Sequence, residues 1–182
     1  LRMKEGEMLL LTNGKGLHGV ATIIIANKKQ CIVQVEEVEQ TPPPKKRVCV
    51  AVGILKNKSR WEWMLEKLTE IGVTHIVPLQ TARTERQAFR ADRWEAIVQS
   101  AMLQSKQYYQ SELAPVQKFS DFIQSDNSTI KFIAHCLPDE PKTDLMPLKE
   151  VQDVSILIGP EGDFTPEEIE QALGRMYQPV SL

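Results

Sequence analysis

From residue 47 onward, unbroken apolar runs alternate with stretches of helical periodicity, and this alternation narrows the possible folds more than any other feature. The run "RVCVAVGIL" (47–55) lacks the apolar–polar alternation of a half-exposed strand, so we predict a strand buried on both faces. "SRWEWMLEKLTEIGV" (59–73) follows, with apolar residues at helical spacing. Ser59 and Glu62 predict a capping box at its start, and Gly72 predicts its end.

The same alternation continues to the last residue. Further strands are predicted in "THIVPLQ" (74–80), "TIKFIAHCL" (129–137), "VSILIGP" (154–160) and "QPVSL" (178–182). Further helices are predicted in "RADRWEAIVQSAMLQSKQYY" (90–109) and after Thr165. Strands separated by helices indicate an α/β domain with a parallel sheet covered on both faces.

The first forty residues have a different pattern. "EMLLLTNGKG", "HGVATIIIA" and "QCIVQVEEV" are short β-type runs, and Asn13-Gly14 is a typical hairpin turn pair. They predict a small β-barrel or meander that is marginal alone. Three consecutive prolines in "QTPPPKKR" favour a stiff, extended linker. We therefore expect a β unit over residues 1–41, a linker over 42–46 and an α/β domain over 47–182.

Composition excludes several classes of protein. The formal net charge of -2 over 182 residues argues against a polybasic protein, although a local basic surface remains compatible with nucleic-acid binding. The three cysteines and three histidines lack the spacing of a metal site, so no metal is expected. We interpret the cysteines as small buried residues of a protein in a reducing cytoplasm. With no membrane-length apolar run and no visible signal peptide, the sequence predicts a cytoplasmic protein and no membrane partner.

A loop with two glycines, Gly159-Pro160-Glu161-Gly162, joins a predicted strand to a predicted helix. Thr165 has the position of an N-cap, followed by proline and by a glutamate that would close a capping box. Ligands of open parallel sheets bind beyond the carboxyl ends of the strands, where this loop lies. The glycines allow close backbone approach or positive φ. From these residues alone, a tight connection without a ligand remains as good an interpretation as a binding loop.

Several stretches together resemble the RsmE family, bacterial methyltransferases that act on N3 of a uridine in the decoding region of 16S ribosomal RNA. The family's long signature is similar to "ILKNKSRWEWMLEKLTEIGVTHIVPLQTARTE" (54–85), its mid-chain element to "SAMLQS" (100–105), its glycine loop to "LIGPEGDFTPEEI", and its following strand to "VSL" (180–182). Together these stretches extend over nearly the whole chain. Their order is more specific than any one of them.

The resemblance implies a PUA-like β-barrel followed by a SPOUT-type α/β domain with a C-terminal trefoil knot. It implies S-adenosylmethionine as the methyl donor and activity as an rRNA (uridine-N3-)-methyltransferase. The donor-binding residues carried over by the resemblance are His135, Cys136, Leu137, Ile158, Gly159, Pro160, Glu161, Gly162, Val180, Ser181 and Leu182. We interpret His135 as a capped, partly buried histidine at a strand end and Glu161 as a partner of loop backbone, and the sequence identifies no catalytic base.

Partners follow from the same resemblance and from charge. The resemblance implies 16S rRNA or the small ribosomal subunit as substrate, and SPOUT enzymes are typically homodimers. Basic side chains near the ends of the first two α/β strands are expected to contact RNA phosphates: Lys56, Lys58, Arg60, Arg83 and Arg86. Lys45 to Arg47 are interpreted as a solvated run beside the linker. Trp61 and Trp94 are expected in the core or at an interface, and Trp63 at the surface, where a dimer contact is one role open to it.

The sequence departs from the family pattern at three places. Lys106 and "QYYQSELAP" (107–115) replace a more arginine-rich stretch of the family, so no RNA contact is carried over there. Asp163 stands where many relatives have a further glycine, and a change in loop geometry is expected there. The sequence stops at Leu182, where the family continues with the segment that makes the knot and completes the donor pocket. Two alternatives to the enzyme stay open: a non-catalytic RNA-binding or ribosome-assembly module with the same fold, and an α/β enzyme that binds a phosphorylated metabolite at the Gly159 loop.

Overall fold

A computed structural model describes residues 3–85, 89–136 and 152–181 of the chain. Its first sheet is antiparallel, with three strands in the order β1-β2-β3. These strands are β1 (Met8–Thr12), β2 (Leu17–Ala26) and β3 (Cys31–Gln40). The predicted turn at Asn13-Gly14 lies between β1 and β2, but the connection has four residues, with Gly14 at φ 66° and Gly16 at φ 90°.

The second sheet has seven strands, and all of its pairings are parallel. Their order is β10-β8-β9-β4-β5-β6, and β7 also pairs with β5. The strands are β4 (Arg47–Gly53), β5 (His75–Gln80), β6 (Glu112–Leu113), β7 (Gln117–Lys118), β8 (Ile130–Ala134), β9 (Asp153–Ile158) and β10 (Gln178–Val180). The helices are α1 (Lys58–Glu70), α2 (Ala91–Gln104), α3 (Phe119–Ser125) and α4 (Pro166–Leu173). The predicted fold class, an α/β domain with a parallel sheet preceded by a small β unit, is confirmed. Of the barrel and the meander predicted for the β unit, the described residues form an antiparallel meander.

Helices cover both faces of the parallel sheet, as the apolar strands predicted. Trp61 and Leu65 of α1 pack with Trp94 and Val98 of α2 against one face of β4 and β5. The opposite face carries side chains of α3 and α4 in a second cluster that includes Ile169. Because the central strands are buried on both faces, the sheet itself meets solvent mainly where these strands end.

Several element boundaries differ from those predicted. The capping box at Ser59 is wrong, because Asn57 caps α1 by accepting a hydrogen bond from the Arg60 backbone N–H at 3.1 Å. The predicted end at Gly72 is confirmed, with Gly72 in the left-handed region at φ 84° just past the helix. The helix predicted over 90–109 ends at Gln104, and Lys106 has a left-handed φ of 56°.

The three cysteines do not share one environment. Cys49 is buried in β4, as predicted, but Cys31 and Cys136 are exposed, so the prediction for these two is wrong. Cys31 begins an outer strand of the three-stranded sheet, and Cys136 follows β8 in a strand-end loop. Within the residues that the structure describes, no helix has the length and apolar character needed to cross a membrane.

Candidate functional site at the carboxyl ends of the parallel strands

The stretches that the resemblance assigns to donor binding follow three neighbouring strands. The sheet register places Val180 of β10 beside Ala134 of β8, and Ala134 beside Ile158 of β9. Loops that leave these strands therefore start side by side at one edge of the sheet. The predicted donor-binding residues described at this edge are His135, Cys136, Ile158, Gly159, Pro160, Glu161, Gly162, Val180 and Ser181. Leu137 and Leu182, which were also predicted, lie outside the described residues.

Both glycines of the loop are closely packed. A Cβ on Gly159 would lie 3.1 Å from three atoms of Asp163, and a Cβ on Gly162 would lie 3.2 Å from Cδ of Arg83. Neither glycine has a left-handed φ; the left-handed residue of this loop is Asp163, at φ 63°. Of the two reasons that the sequence offered for the glycines, close approach is confirmed and positive φ is wrong.

The predicted start of α4 is confirmed in detail. The Thr165 hydroxyl accepts a hydrogen bond from the Glu168 backbone N–H at 3.2 Å, and the Glu168 carboxylate accepts one from the Thr165 N–H at 3.0 Å. Pro166 is the first helical residue, where its missing N–H costs nothing. This reciprocal pair fixes the direction in which the chain leaves the loop.

Glu161 links its own loop, Gly159 to Gly162 (the glycine loop), to the loop that follows β4. Its carboxylate accepts hydrogen bonds from the backbone N–H groups of Lys56 at 3.2 Å and Asn57 at 3.4 Å. Burial acts to raise the pKa of Glu161, but these bonds, the one from its own N–H and the charge of Arg60 bring it below its ordinary value. Glu161 is therefore an ionised structural partner of the loop backbone, as the sequence suggested.

Two further carboxylates accept hydrogen bonds from backbone N–H groups of other strand-end loops. The buried Glu168 side chain accepts a hydrogen bond from the Ala82 backbone N–H, in the loop after β5, at 2.8 Å. Asp163 Oδ2 accepts one from the Cys136 N–H, in the loop after β8, at 2.8 Å. Three different side chains of the segment 161–168 thus form hydrogen bonds with the loops after β4, β5 and β8.

A cleft of about 480 Å³ lies where the loops after β4 and β5 meet the glycine loop. It is lined by Ile54, Lys56, Asn57, Arg83, Glu85, Glu161 and Gly162. Lys56 Nζ lies 2.8 Å from a Glu85 carboxylate oxygen, and both side chains are mostly exposed. Arg83 donates a hydrogen bond to the Gly162 carbonyl.

The structure brings Lys56 and Arg83, two of the predicted RNA contacts, into this cleft. Lys58 is the first residue of α1 and Arg60 lies two positions later in its first turn, both at the surface beside the cleft. Arg86 lies outside the described residues. Lys45 precedes β4 and therefore lies toward the opposite edge of the sheet, where it lines another cavity.

His135 and the tryptophans lie close to the environments expected of them. His135 lies just past the end of β8, as expected, but at 1% exposed it is fully rather than partly buried. Trp61 and Trp94 are buried with ring centroids 5.2 Å apart, whereas Trp63 is 61% exposed. In the described ranges, no group of three His, Cys, Asp or Glu side chains is placed to hold a metal ion.

Sequence reasoning missed two residues of this site. Gly53 packs so closely on the glycine loop that its missing Cβ is required, and a glycine ending an apolar strand was a signal that could have been used. Ala82 contributes only its backbone N–H, 86 residues away from its acceptor Glu168, and no local pattern indicates such a contact.

The chain matches family models of RNA methyltransferases along most of its length. Residues 41–182 match the family model of an RNA methyltransferase domain, and residues 1–36 match that of an RNA methyltransferase PUA domain. A curated relative, ribosomal RNA small subunit methyltransferase E of Mesomycoplasma hyopneumoniae (strain 232), is 29% identical over 163 residues, which are 86% of this chain and 69% of the relative. Across five curated relatives, the chain spans 61% to 72% of their length.

Two solved structures are similar over almost the entire chain. A probable rRNA-methyltransferase from Porphyromonas gingivalis is 37% identical, with a TM-score of 0.84 over 99% of this chain and 77% of that one. A putative methyltransferase from Legionella pneumophila, solved in complex with the bound cofactor SAM, is 29% identical, with a TM-score of 0.89 over 100% of this chain and 76% of that one.

Proposed function

The chain belongs to the RsmE family of RNA methyltransferases, and from that premise we propose that it transfers a methyl group from S-adenosylmethionine to ribosomal RNA of the small subunit. The observation that most supports this is the meeting of three loops, after β8, β9 and β10, at one edge of the parallel sheet. In open α/β sheets, this edge is where ligands bind. The relative solved with bound SAM has the same fold over the whole chain.

The described residues at this edge fit a nucleoside-containing donor. Such a ligand needs an apolar slot and backbone hydrogen-bonding groups, which strand-end loops supply. The missing Cβ of Gly159 lets the loop backbone pack directly against Asp163, which keeps the turn compact at this edge. We propose that residues 135–136, 158–162 and 180–181 form the donor pocket, together with Leu137 and Leu182. When bound, S-adenosylmethionine supplies an electrophilic methyl group on a sulfonium centre.

The proposed acceptor is N3 of a uridine in the decoding region of 16S ribosomal RNA, as the family resemblance implies. N3 lies on the Watson–Crick edge, so the base must be unpaired or turned out of its helix before it can react. N3 also loses its proton during the reaction. With His135 buried and Glu161 engaged by backbone N–H groups, we propose that alignment of the reactants supplies most of the rate.

RNA would approach through the cleft after β4 and β5. Lys56, Lys58, Arg60 and Arg83 lie in or beside it, and phosphate contacts from such side chains fix the register of an RNA without reading its sequence. Arg86, which follows in the chain, is proposed as a further contact. The cleft adjoins the proposed donor pocket through Glu161 and Gly162, so a bound base and the donor would meet at the glycine loop.

The remaining proposals concern assembly and location. We propose a homodimer, by analogy with SPOUT enzymes, and the exposed Trp63 is a residue to test at its interface. We propose division of the chain into a PUA-like unit (1–41), a linker (42–46) and a methyltransferase domain (47–182). Action on the small ribosomal subunit would place the protein in the cytoplasm.

A radiolabel transfer assay tests the proposed function. Full-length protein is incubated with S-adenosylmethionine carrying a tritiated methyl group and with small subunits from cells that lack the gene. Label in 16S RNA, absent when subunits come from wild-type cells, is the expected result. Saturable donor binding without label in RNA would indicate that the protein methylates a different acceptor. RNA binding without donor binding would favour the non-catalytic assembly module.

A further inference from the structure

We propose that Asp163 is a positioning residue of the donor pocket, whose carboxylate holds the loop after β8 at a fixed distance from the glycine loop after β9. This inference rests on the proposed function, since it concerns the two loops expected to enclose the donor. It assigns a role to a side chain that the family resemblance would leave as a glycine.

The geometry of Asp163 carries this inference. Oδ2 accepts a hydrogen bond from the Cys136 backbone N–H at 2.8 Å, and Oδ1 accepts one from the Phe164 N–H at 2.7 Å. Each carboxylate oxygen therefore has its own donor, one in the next strand-end loop and one in its own segment. Bonds from N–H groups to a carboxylate are shorter and stronger than those between neutral groups.

The backbone of Asp163 contributes to the same arrangement. The residue has a left-handed φ of 63°, and its N–H donates to the Pro160 carbonyl at 2.9 Å, which closes the turn. Its atoms also lie directly against Gly159, where an added Cβ would come within 3.1 Å of the Asp163 Cα and Oδ1. Aspartate is among the few non-glycine residues that tolerate this φ, so the chain gains a side chain here at small conformational cost.

The consequence is a pocket whose two sides are joined before the donor arrives. Cys136 lies immediately past His135, and Gly159 immediately past Ile158, and the Asp163 carboxylate spans the gap between these loops. A preformed pocket loses less conformational freedom when it binds a ligand. Removing the hydrogen bond between Asp163 and Cys136 should therefore weaken donor binding more than it lowers the stability of the fold.

Two variants separate the side chain from the backbone conformation. Asp163→Gly removes both hydrogen bonds and keeps the left-handed φ free of strain, whereas Asp163→Ala removes the bonds and adds strain. If the carboxylate positions the pocket, both variants bind S-adenosylhomocysteine about 10-fold more weakly, as expected for loss of a charge-assisted tie. If only the backbone conformation matters, Asp163→Gly binds as tightly as the wild type and Asp163→Ala alone is weaker, which would overturn the proposal.

Calorimetric titration of the full-length protein gives the affinity, and thermal denaturation of the same samples checks that each variant is folded at the titration temperature. Glu170→Gln, at an exposed carboxylate of α4, controls for the loss of one negative charge and should bind like the wild type. Asp163→Asn tolerates the same φ but has one acceptor oxygen for two N–H donors, and an intermediate affinity is expected. If Asp163→Gly fails to fold, wild-type affinity in Asp163→Asn would overturn the proposal.

Steady-state kinetics provide a second readout. The KM for S-adenosylmethionine should rise with the dissociation constant, while kcat at saturating donor stays within about twofold of the wild type, because loss of uniform binding affects KM alone. A wild-type protein that binds no S-adenosylhomocysteine would refute the proposed function itself. Wild-type binding with unchanged affinity in both Asp163→Gly and Asp163→Ala would refute only the role of Asp163.

Discussion

Gly53 and Pro160 pack so closely that a Cβ on Gly53 would lie 2.5 Å from Cδ of Pro160 and 2.7 Å from its backbone nitrogen. Gly53 ends β4, and Pro160 lies two residues past β9, the strand that pairs with β4 in parallel. The glycine loop thus rests directly on the end of the neighbouring strand. Its position is set by a backbone contact that allows no side chain between them.

Gly53→Ala should therefore displace the glycine loop. We expect a loss of about 1 to 3 kcal/mol in the free energy of unfolding, typical of an added methyl group in a packed site, together with weaker binding of S-adenosylhomocysteine. Urea denaturation and calorimetry measure the two effects. Gly174→Ala is the matched control, because Gly174 has a helical φ of -62° and its nearest neighbours lie at ordinary contact distance. Equal stability of both variants would contradict the tight contact.

Asp126 should make the stability of the fold sensitive to acid. Burial acts to raise its pKa, but hydrogen bonds from the hydroxyls of Ser128 and Tyr177 and from the Ser128 N–H bring the pKa below its ordinary 3.8. A carboxyl group with a lowered folded-state pKa stabilises the fold fully above pH 3.8, and this contribution is lost as the pH falls toward the folded-state pKa.

Urea denaturation at a series of acidic pH values tests this prediction. The wild type should lose stability below pH 3.8 more steeply than Asp126→Asn, which lacks the titrating group and should be less stable at neutral pH. Asp121→Asn, at an exposed position of α3, should keep the wild-type dependence. The same pH dependence in wild type and Asp126→Asn would show that Asp126 is not the group responsible.

The three cysteines should react in two classes. Burial raises the pKa of Cys49 to about 11, and the thiolate is the reactive form, so this thiol should resist a disulfide reagent at neutral pH. Cys31 and Cys136 are exposed and should react much faster than Cys49. Spectroscopic titration should count two fast thiols in the native protein and three after denaturation. Cys49→Ala should retain both fast thiols, and three fast thiols in the native wild type would contradict the burial of Cys49.

Lys56 should contribute one phosphate contact to RNA binding. Lys56→Gln is expected to weaken binding of a decoding-region RNA fragment several-fold and to reduce the slope of log affinity against log salt by about 1, because one fewer counterion is released. Fluorescence anisotropy at several salt concentrations measures both quantities. Lys45→Gln removes the same charge toward the opposite edge of the sheet and should change neither. Equal slopes for wild type and Lys56→Gln would exclude this contact.

The parts of the fold that the sequence predicted well are those determined by local patterns. The continuous apolar run in β4, the capping box at Thr165 and the left-handed Gly72 each depend on neighbours within a few residues. The short α3, at seven residues, and the two-residue strands β6 and β7 offer too few periods to be recognised.

The residues of the candidate site stay a prediction of the family resemblance, and the contacts that connect them could not be predicted from the sequence. Family resemblance pointed to Gly159 and Glu161, and the structure supplies the reasons: close packing at one and backbone hydrogen bonds at the other. The contacts of Gly53 with Pro160 and of Glu168 with Ala82 join segments about 90 to 110 residues apart, so only the strand order of the sheet brings them together.

Primer extension tests most directly the proposed methylation of N3 of one uridine in the decoding region of 16S RNA. Small subunits from cells lacking the gene are incubated with full-length protein and S-adenosylmethionine, and reverse transcriptase is run across the decoding region. A methyl group on N3 blocks base pairing, so we predict one new stop, at a uridine, that requires the donor. Donor-dependent labelling of the RNA without a stop at any uridine would contradict N3 methylation.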